Sequence, residues 1–375
     1  MTHRPRLLIL TPDYPPAPGG IQLVSERLAT GLDGFHIRVL ALGDAGARHF
    51  DHTRSTDVHR VAGTALPHAG RVALLNVLAL REALLFRPEV VLSMHLVAAP
   101  AAAAIGRASG ALFAEYFHAE EIGARPGLAA FAAAQADVAI AVSEYTAGLV
   151  RNRAGARANI SVIPNGVDLP LDPVPEPVDR PTILTIARIQ ERYKGHDTLV
   201  RALALVRAKV PDVEWVVVGD GSLRSGVEEL ARSYGVADST RFLGEVSDDQ
   251  RNSWLRRAHL LAMPSRLPAG GFAGEGFGIV YLEAGAYGKP VVAGNVGGAL
   301  DAVLDGVTGL LVDPLNPLAV AQAMTDLLLE PERARRLGAA GREHASGLAW
   351  PIVAGKVQAL LLELLARHRH SWPAW

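Results

Sequence analysis

The chain has 375 residues, enough for two domains of ordinary size, and 49% of them are hydrophobic against 20% charged. That balance belongs to a folded globular protein and excludes a disordered chain. A net charge of −1 offers no bulk attraction to nucleic acid, and the absence of cysteine excludes disulfides, thiol catalysis and cysteine-ligated zinc.

The N-terminal Met-Thr-His-Arg-Pro-Arg runs straight into the apolar segment Leu7–Leu10, too short for the hydrophobic region of a secretory signal. No segment approaches the roughly 20 apolar residues of a membrane span. The expectation is a cytoplasmic protein whose only membrane contact would be peripheral, on the inner face. Lys194, Lys209, Lys289 and Lys356 are the only lysines. Arginine is therefore the default cation and carries little information singly, whereas a lysine carries more.

Short apolar runs recur along the first half: Leu7–Leu10, Ile37–Leu42, Val90–Met94, Leu112–Phe117, Val138–Val142 and Ile160–Ile163. They read as buried strands. Periodic stretches between them, such as Ile21–Leu32 and Val72–Phe86, read as helices. Buried strands joined by helices imply a parallel sheet covered on both faces. From Val167 to Pro181 the prolines 170, 173, 175, 177 and 181 stop regular structure and mark a linker. The alternation then restarts with Ile183–Ile186, Val213–Gly219, Arg241–Leu243, Leu260–Met263, Pro290–Ala293 and Gly309–Val312 as strands. Ile352–Arg367 reads as an amphipathic C-terminal helix. The predicted fold class is α/β, two doubly wound Rossmann-like domains facing across a cleft. The boundaries are 1–167 for the first domain, 168–181 for the Pro-rich linker, 182–350 for the second domain and 351–375 for the C-terminal helix, a candidate to pack back on the first domain. Ligands of such sheets bind at the carboxyl ends of the strands.

Residues 274–285 read Gly-Glu-Gly-Phe-Gly-Ile-Val-Tyr-Leu-Glu-Ala-Gly. Gly276 and Gly278 let backbone come close to a ligand, and a helix starting here would offer N–H groups to a phosphate or to hydroxyls. Glu275 would precede that helix and Glu283 would lie about two turns inside it. Such a pair can hold the two ends of one long, polyhydroxylated, phosphate-bearing molecule, a description that a nucleotide-sugar fits.

The other constellations are weaker singly. Gly19-Gly20 follows the first strand and opens a helix, which suits a diphosphate or an acceptor as well as it suits a plain βα turn. His118 and His95 each end a strand, where a structural histidine is the commoner explanation. Ser143 is a natural N-cap and Asn165-Gly166 a turn dipeptide. Arg188 and Lys194, in the loop after the first strand of the second half, would make a diphosphate clamp, or they are a solvated loop. Gly219-Asp220-Gly221 is a further glycine-rich turn, in which Asp220 would touch base or ribose or cap a helix. Gly297-Gly298 would admit a sugar closely. Asp301, early in the following helix, suits the helix dipole equally.

Their order says more than any one of them. Gly-Gly after the first strand, His-x-Glu, Val-Ser-Glu-Tyr, Ile-Pro-Asn-Gly-Val-Asp, the Arg…Lys-Gly loop, Val-Val-Gly-Asp-Gly, Glu-Gly-Phe-Gly with its second Glu, Gly-Lys-Pro-Val-Val, Gly-Gly and Asp-Gly-Val-Thr-Gly-Leu-Leu-Val follow one another. The series resembles the retaining GT-B glycosyltransferases of family four, from about residue 6 to about residue 345. The stretch Arg266–Ala284, with its longer Gly-rich loop, resembles the phosphatidylinositol mannosyltransferases of that family.

The resemblance implies a donor site. Arg188 and Lys194 would stabilise the leaving diphosphate, and Glu283 would bind the ribose. Glu275, with backbone groups at Phe277, Gly278 and Ile279, would hold the transferred sugar and phosphate. Gly276 and Gly219 would lie along the donor, and Gly19 and Gly20 would close over the phosphates or admit the acceptor. His118 would stand beside the sugar. The catalytic set is thus His118, Arg188, Lys194 and Glu275. The family's usual Glu after the late Gly-Gly is Asp301 here, shorter in reach, and is given no role.

No two aspartates are separated by one residue, so the Asp-x-Asp metal signature is absent and no metal or cofactor is expected. Cations and helix N-termini would then meet the diphosphate charge. Two carboxylates also suggest a glycosidase-like double displacement, but Glu283 sits within a helix and the resemblance implies front-face retention. The expectation is transfer of a hexose, mannose from GDP-mannose in preference, to a glycan or lipid-linked acceptor, with domain closure assembling the site. The Val72–Phe86 helix, flanked by Arg71, Arg81 and Arg87, is the candidate for contact with anionic lipid, against the plainer reading of a packing helix. A nucleotide-sugar epimerase and a non-catalytic nucleotide-sugar-binding regulator are the alternatives.

Overall fold

A computed structural model describes residues 4–62, 65–154, 158–176, 178–268 and 274–371. Residues 269–273 of the expected longer Gly-rich loop and Pro177 of the expected linker lie outside the described residues. The chain forms two compact units. One runs up to Gly166 and resumes at Trp350, and the other is Val167–Ala349.

The first unit is built on a seven-stranded sheet. Its strands are β1 (Arg6–Thr11), β2 (His36–Leu42), β3 (Asp57–Val61), β4 (Val90–Ser93), β5 (Leu112–Phe117), β6 (Val138–Ala141) and β7 (Ile160–Val162). They lie in the order β3-β2-β1-β4-β5-β6-β7, and every pairing is parallel. The second unit has a six-stranded sheet of β8 (Thr182–Ile186), β9 (Glu214–Val218), β10 (Thr240–Gly244), β11 (Leu260–Met263), β12 (Val291–Gly294) and β13 (Gly309–Val312). Their order is β10-β9-β8-β11-β12-β13, again all parallel. Each sheet is doubly wound, as the alternation of apolar runs predicts. The winding reverses between β1 and β4 in the first and between β8 and β11 in the second, the places where such sheets take their ligands.

The apolar runs became strands because both faces of each sheet are covered. β4 and β6 are buried at every residue. β3 is the strand that the sequence does not announce. It lies at the sheet edge, only Val61 is buried, and Asp-Val-His-Arg-Val has no apolar run to display. The helices Gly20–Gly31 and His68–Phe86 start one and four residues before their expected first turns.

The proline-rich stretch is fastened to the second unit by one carboxylate. Glu176 accepts hydrogen bonds from Arg256 Nε at 2.5 Å, Arg257 Nε at 2.9 Å and Ser253 Oγ at 2.8 Å. These bonds, with Arg256 foremost, hold its carboxyl down to about 2. All three donors lie on the helix Asp248–Arg257, which starts with a full capping box between Ser247 and Gln250. Lys289 of the Gly-Lys-Pro motif closes the other end of that helix, donating from Nζ to the Arg256 carbonyl at 2.7 Å.

The helix Trp350–Ser371 packs on the helix Gly20–Gly31 and on β5 of the first unit. Gln358 Oε1 accepts from the Gly34 N–H at 2.6 Å. A Cβ on Gly166 would stand 2.6 Å from the Trp350 ring, so glycine is what allows that ring to cover the turn. Among the described residues no helix is long and apolar enough to cross a membrane.

Candidate active site

In the second unit the loops that leave β8 and β9 are laced together. Ala187 N–H donates to Val218 O at 3.0 Å, Ile189 N–H to Asp220 O at 2.8 Å and Leu223 N–H to Ile189 O at 2.9 Å. Gly219 has φ 128°, and a Cβ there would lie 2.2 Å from the Ala187 carbonyl oxygen. Its glycine is required by the fit of loop against loop. Asp220 does not cap the following helix; it accepts from Gly221 N–H at 2.7 Å and Arg224 Nη1 at 2.9 Å.

Arg188 and Lys194 differ sharply in setting. The Arg188 side chain is 61% exposed and pairs with Glu191 in the same loop at 3.0 Å. Lys194 ends a single 3-10 turn, Arg192–Lys194, and Gly195 (φ 80°) turns the chain into the helix His196–Arg207. Its side chain is 14% exposed, and Nζ donates to Glu275 Oε2 at 2.6 Å. Burial alone would push the ammonium pKa down; Glu275, then Tyr193, outweigh it and raise the pKa, so Lys194 stays charged. Arg266 locks the two supporting loops: its N–H donates to Tyr193 O at 2.8 Å, and its guanidinium grips Asp197 Oδ1 at 2.9 Å and Oδ2 at 3.1 Å.

Glu275 therefore arrives from the loop after β11 and Lys194 from the loop after β8, on neighbouring strands at the switch point. Phe277 is buried, so only its backbone can face a ligand. Gly278, at φ 90°, precedes the helix Ile279–Ala286; a Cβ there would fall 2.4 Å from the Tyr281 ring. Because the helix starts at Ile279, Glu283 is its fifth residue, little more than one turn in, not the two turns expected. Gly298 has a structural reason to be glycine. Gly298 N–H donates to Glu275 O at 2.8 Å, and a Cβ on Gly298 would sit 2.0 Å from the Gly276 carbonyl oxygen. That glycine lets backbone press on backbone and fixes the Glu275–Gly276 turn.

Glu283 forms an ion pair with Arg251 Nη2, from the helix Asp248–Arg257. Glu283 is the first cause raising the Arg251 pKa, ahead of the opposing effect of burial. Neither Arg251 nor Arg266 stands out in a sequence whose cations are nearly all arginine. A faint signal exists for Arg251, one helical turn after the Ser247 cap. His196, beside Lys194, is buried, and its Nε2 has no hydrogen-bond partner among the described residues. Burial, then the Lys194 charge, lower its pKa to about 4.

In the first unit the loop after β1 is anchored by Tyr14 and Arg60. Tyr14 is buried, with the Arg60 guanidinium 5.1 Å from its ring centroid. Arg60 Nη2 donates to Pro15 O at 2.5 Å, and Nε and Nη2 reach the Asp51 carboxylate at 3.0 and 2.8 Å. Gly20 opens the helix Gly20–Gly31; a Cβ on Gly19 would meet the Gln22 side chain, whereas one on Gly20 would meet nothing within 4 Å.

His118 follows β5 and is half-buried. Its Nε2 lies 3.0 Å from the Met94 carbonyl. A carbonyl can only accept, so Nε2 carries the hydrogen. Burial lowers the imidazole pKa to about 4 against a smaller opposing effect of Met94, and the ring is neutral at ordinary pH. Nδ1 is then an acceptor. His95 is occupied structurally, its Nδ1 accepting from Val97 N–H at 3.2 Å. Ser143 Oγ accepts from Thr146 N–H at 3.0 Å, the cap its sequence position predicts. Among the described residues no group of three or more His, Asp or Glu side chains could hold a metal ion.

Residues 18–170 match the family described as Glycosyltransferase Family 4, and residues 172–344 match Glycosyl transferases group 1. The chain belongs to the GT-B glycosyltransferases of family four. A GDP-mannose-dependent alpha-(1-6)-phosphatidylinositol monomannoside mannosyltransferase of Mycolicibacterium smegmatis is 33% identical to this glycosyltransferase, over 90% of this chain and 93% of the relative. The Mycobacterium tuberculosis enzyme of the same description is 34% identical, over 95% and 98%. Among solved structures, sucrose-phosphate synthase from Thermosynechococcus elongatus superposes with a TM-score of 0.83 at 22% identity, over 97% of this chain and all of that one. Anabaena HepE in complex with UDP gives 0.80 at 21% identity, over 96% and 100%.

Two outcomes follow from the site's electrostatics. Arg251→Ala leaves Glu283 without its partner and is expected to destabilise the fold by about 1–3 kcal/mol in denaturant melts, while Arg207→Ala, at the more exposed pair with Asp238, costs less. His196 has a lower pKa folded, about 4, than its ordinary 6.5, so the unfolded chain binds its proton first and stability is lost as pH falls through that window. The stability of His196→Gln relative to the parent, read from denaturant melts, is expected to rise as pH falls from 6.5 to 4, by up to about 1.4 kcal/mol per pH unit. A flat difference would contradict it.

Proposed function

We propose that this glycosyltransferase transfers mannose from GDP-mannose to a glycolipid or lipid-linked glycan, with retention of anomeric configuration and without a metal. One observation carries the donor site: Lys194 and Glu275, from adjacent strand ends at the winding reversal, meet at 2.6 Å. A cation and a hydroxyl-binding carboxylate side by side suit the phosphate–sugar junction of a nucleotide-sugar. The donor identity is supported by relatives described as GDP-mannose-dependent, similar over nine-tenths or more of this chain.

In this reading Lys194 and the exposed Arg188 bind the diphosphate and offset the charge that develops on it. Glu275 accepts from hydroxyls of the transferred sugar, and backbone at Gly276–Ile279 supports the phosphate. Glu283, oriented by Arg251, accepts from the ribose. His118 presents Nδ1 as an acceptor for a sugar hydroxyl. The sugar–phosphate C–O bond breaks while an acceptor hydroxyl forms the new C–O bond on the same face. The hydroxyl proton passes to the departing phosphate oxygen, so no side-chain base is required. The GT-B class rests on family and fold; base, sugar, acceptor and stereochemistry belong to the proposal.

The helix His68–Phe86 supports a lipid-facing surface. It buries Leu75, Ala79, Glu82 and Phe86 and exposes Val77, Leu80, Leu84 and Leu85, with Leu84 78% exposed. Arg81 and Arg87 are exposed beside that face. Arg71 does not join them: its Nη2 is held by Asp44 Oδ1 at 2.8 Å and Gly43 O at 2.5 Å. An exposed apolar stripe with cations at its side suits a peripheral contact with anionic lipid.

The donor reading is tested with a panel of UDP- and GDP-sugars in EDTA. Turnover is expected with GDP-mannose, and Lys194→Ala and Arg188→Ala are each expected to lose roughly 100-fold in kcat. Intact turnover in both variants would remove the clamp, and failure of every donor to bind would remove the reading. For the surface, Leu84→Glu with Leu85→Glu is expected to cut sedimentation with phosphatidylinositol vesicles roughly tenfold while donor hydrolysis is unchanged; unchanged sedimentation would dismiss the lipid contact.

A further inference from the structure

Beneath His118 lies a carboxylate that the donor site does not use. The His-x-Glu pattern of the sequence directs attention to Glu120, which is exposed. The buried one is its neighbour, Glu121, at 4% exposure. Glu121 Oε1 accepts the His118 backbone N–H at 2.6 Å, while Oε2 is buried with no hydrogen-bond partner among the described residues. Between the two residues Ala119 is held at φ 105°, in the region that disfavours a side chain, and it is fully buried. Such a turn persists only where its surroundings over-determine it. Here two contacts do so: the carboxylate on the His118 N–H, and the His118 ring on the Met94 carbonyl at 3.0 Å.

We propose that Glu121 is a positioning residue for glycosyl transfer, fixing the turn after β5 so that His118 presents Nδ1 in one direction. The inference rests on the reading of His118 as a group beside the transferred sugar. A buried carboxyl is costly, and an alanine in this backbone conformation is costly too. Neither is needed to close β5 into a helix, since an ordinary turn would serve. Both are explained if the imidazole must be held at one angle. Glu121 touches no reacting atom in this scheme. It acts through the backbone amide of His118, so what its removal disturbs is the orientation of the ring and not the binding of the nucleotide half of the donor, which the second unit provides.

The test uses the full chain with GDP-mannose as donor and GDP as binding probe. Glu121→Ala is expected to lose roughly 10- to 100-fold in kcat, with the GDP dissociation constant and the donor KM within about threefold of the parent. Glu121→Gln keeps an oxygen for the His118 N–H and is expected to stay within about threefold of the parent kcat, as is Glu120→Ala. His118→Ala is measured in parallel. If it loses turnover while Glu121→Ala keeps it, the positioning role is wrong and the reading of His118 stands. If His118→Ala keeps full turnover, the reading of His118 fails and the inference fails with it. Should Glu121→Ala not fold, the conservative pair decides: Glu121→Asp, one methylene short, is expected to lose kcat where Glu121→Gln retains it, and the reverse order overturns the proposal.

Discussion

Parallel pairing is the constraint on which both units depend. Because every strand in a sheet points the same way, every loop that follows a strand leaves from the same edge, and the helices must return over the faces. Residues far apart in sequence are thereby gathered without any long-range design of the loops. Lys194 and Glu275 are 81 positions apart and touch because β8 and β11 are neighbours. The crowding of that edge sets the glycines. Gly219 and Gly298 each stand where a Cβ would meet the carbonyl of another loop, so the loops support one another before any ligand is considered.

Charge pairing is the second consequence of the crowding. Lys194 holds Glu275, Arg251 holds Glu283, and Arg188 holds Glu191. A half-buried ion pair is weak support for stability, since desolvation consumes most of the Coulomb gain. Its merit here is that Glu275 and Glu283 are each aimed by a cation from a different element, whereas Arg188 and Glu191 share one loop. This arrangement suits binding better than a glycosidase-like attack, in which a nucleophile has to be free to form a bond to the sugar. In the proposed reading a diphosphate would meet cations already oriented, and pre-orientation is the part of electrostatic stabilisation that costs nothing at the moment of reaction.

The doubly wound sheets were legible because buried parallel strands leave continuous apolar runs, and the 14 or more residues between successive strands of a sheet have room for a helix. β3 was not, because an edge strand half open to solvent carries Asp57, His59 and Arg60 instead of an apolar run. Lys194 stood out because lysine is scarce in this chain, and Glu275 because it stands in a Gly-Glu-Gly-Phe-Gly run. The site was illegible where the working group is an arginine among many. Arg251, Arg266 and Arg60 orient a carboxylate, a loop junction and the turn after β1, and nothing local distinguishes them from solvated arginines. Glu120 and Glu121 are adjacent and chemically identical, and neither the burial of Glu121 nor the positive φ of Ala119 before them is visible in the sequence.

The first unit is interrupted. Its chain leaves at Gly166 and returns at Trp350, and the two crossings run side by side, with Trp350 over Gly166 and Val167 paired with Ala349. A ribosome that makes this chain therefore delivers the units out of order. By the time residue 349 has emerged, the second unit has every strand and helix it will ever have. The first, begun more than three hundred residues earlier, still lacks the helix that packs on Gly20–Gly31 and β5. Folding on synthesis would thus complete the later-made unit first, leaving the earlier one the more exposed to aggregation and to chaperones until the helix Trp350–Ser371 has emerged and packed.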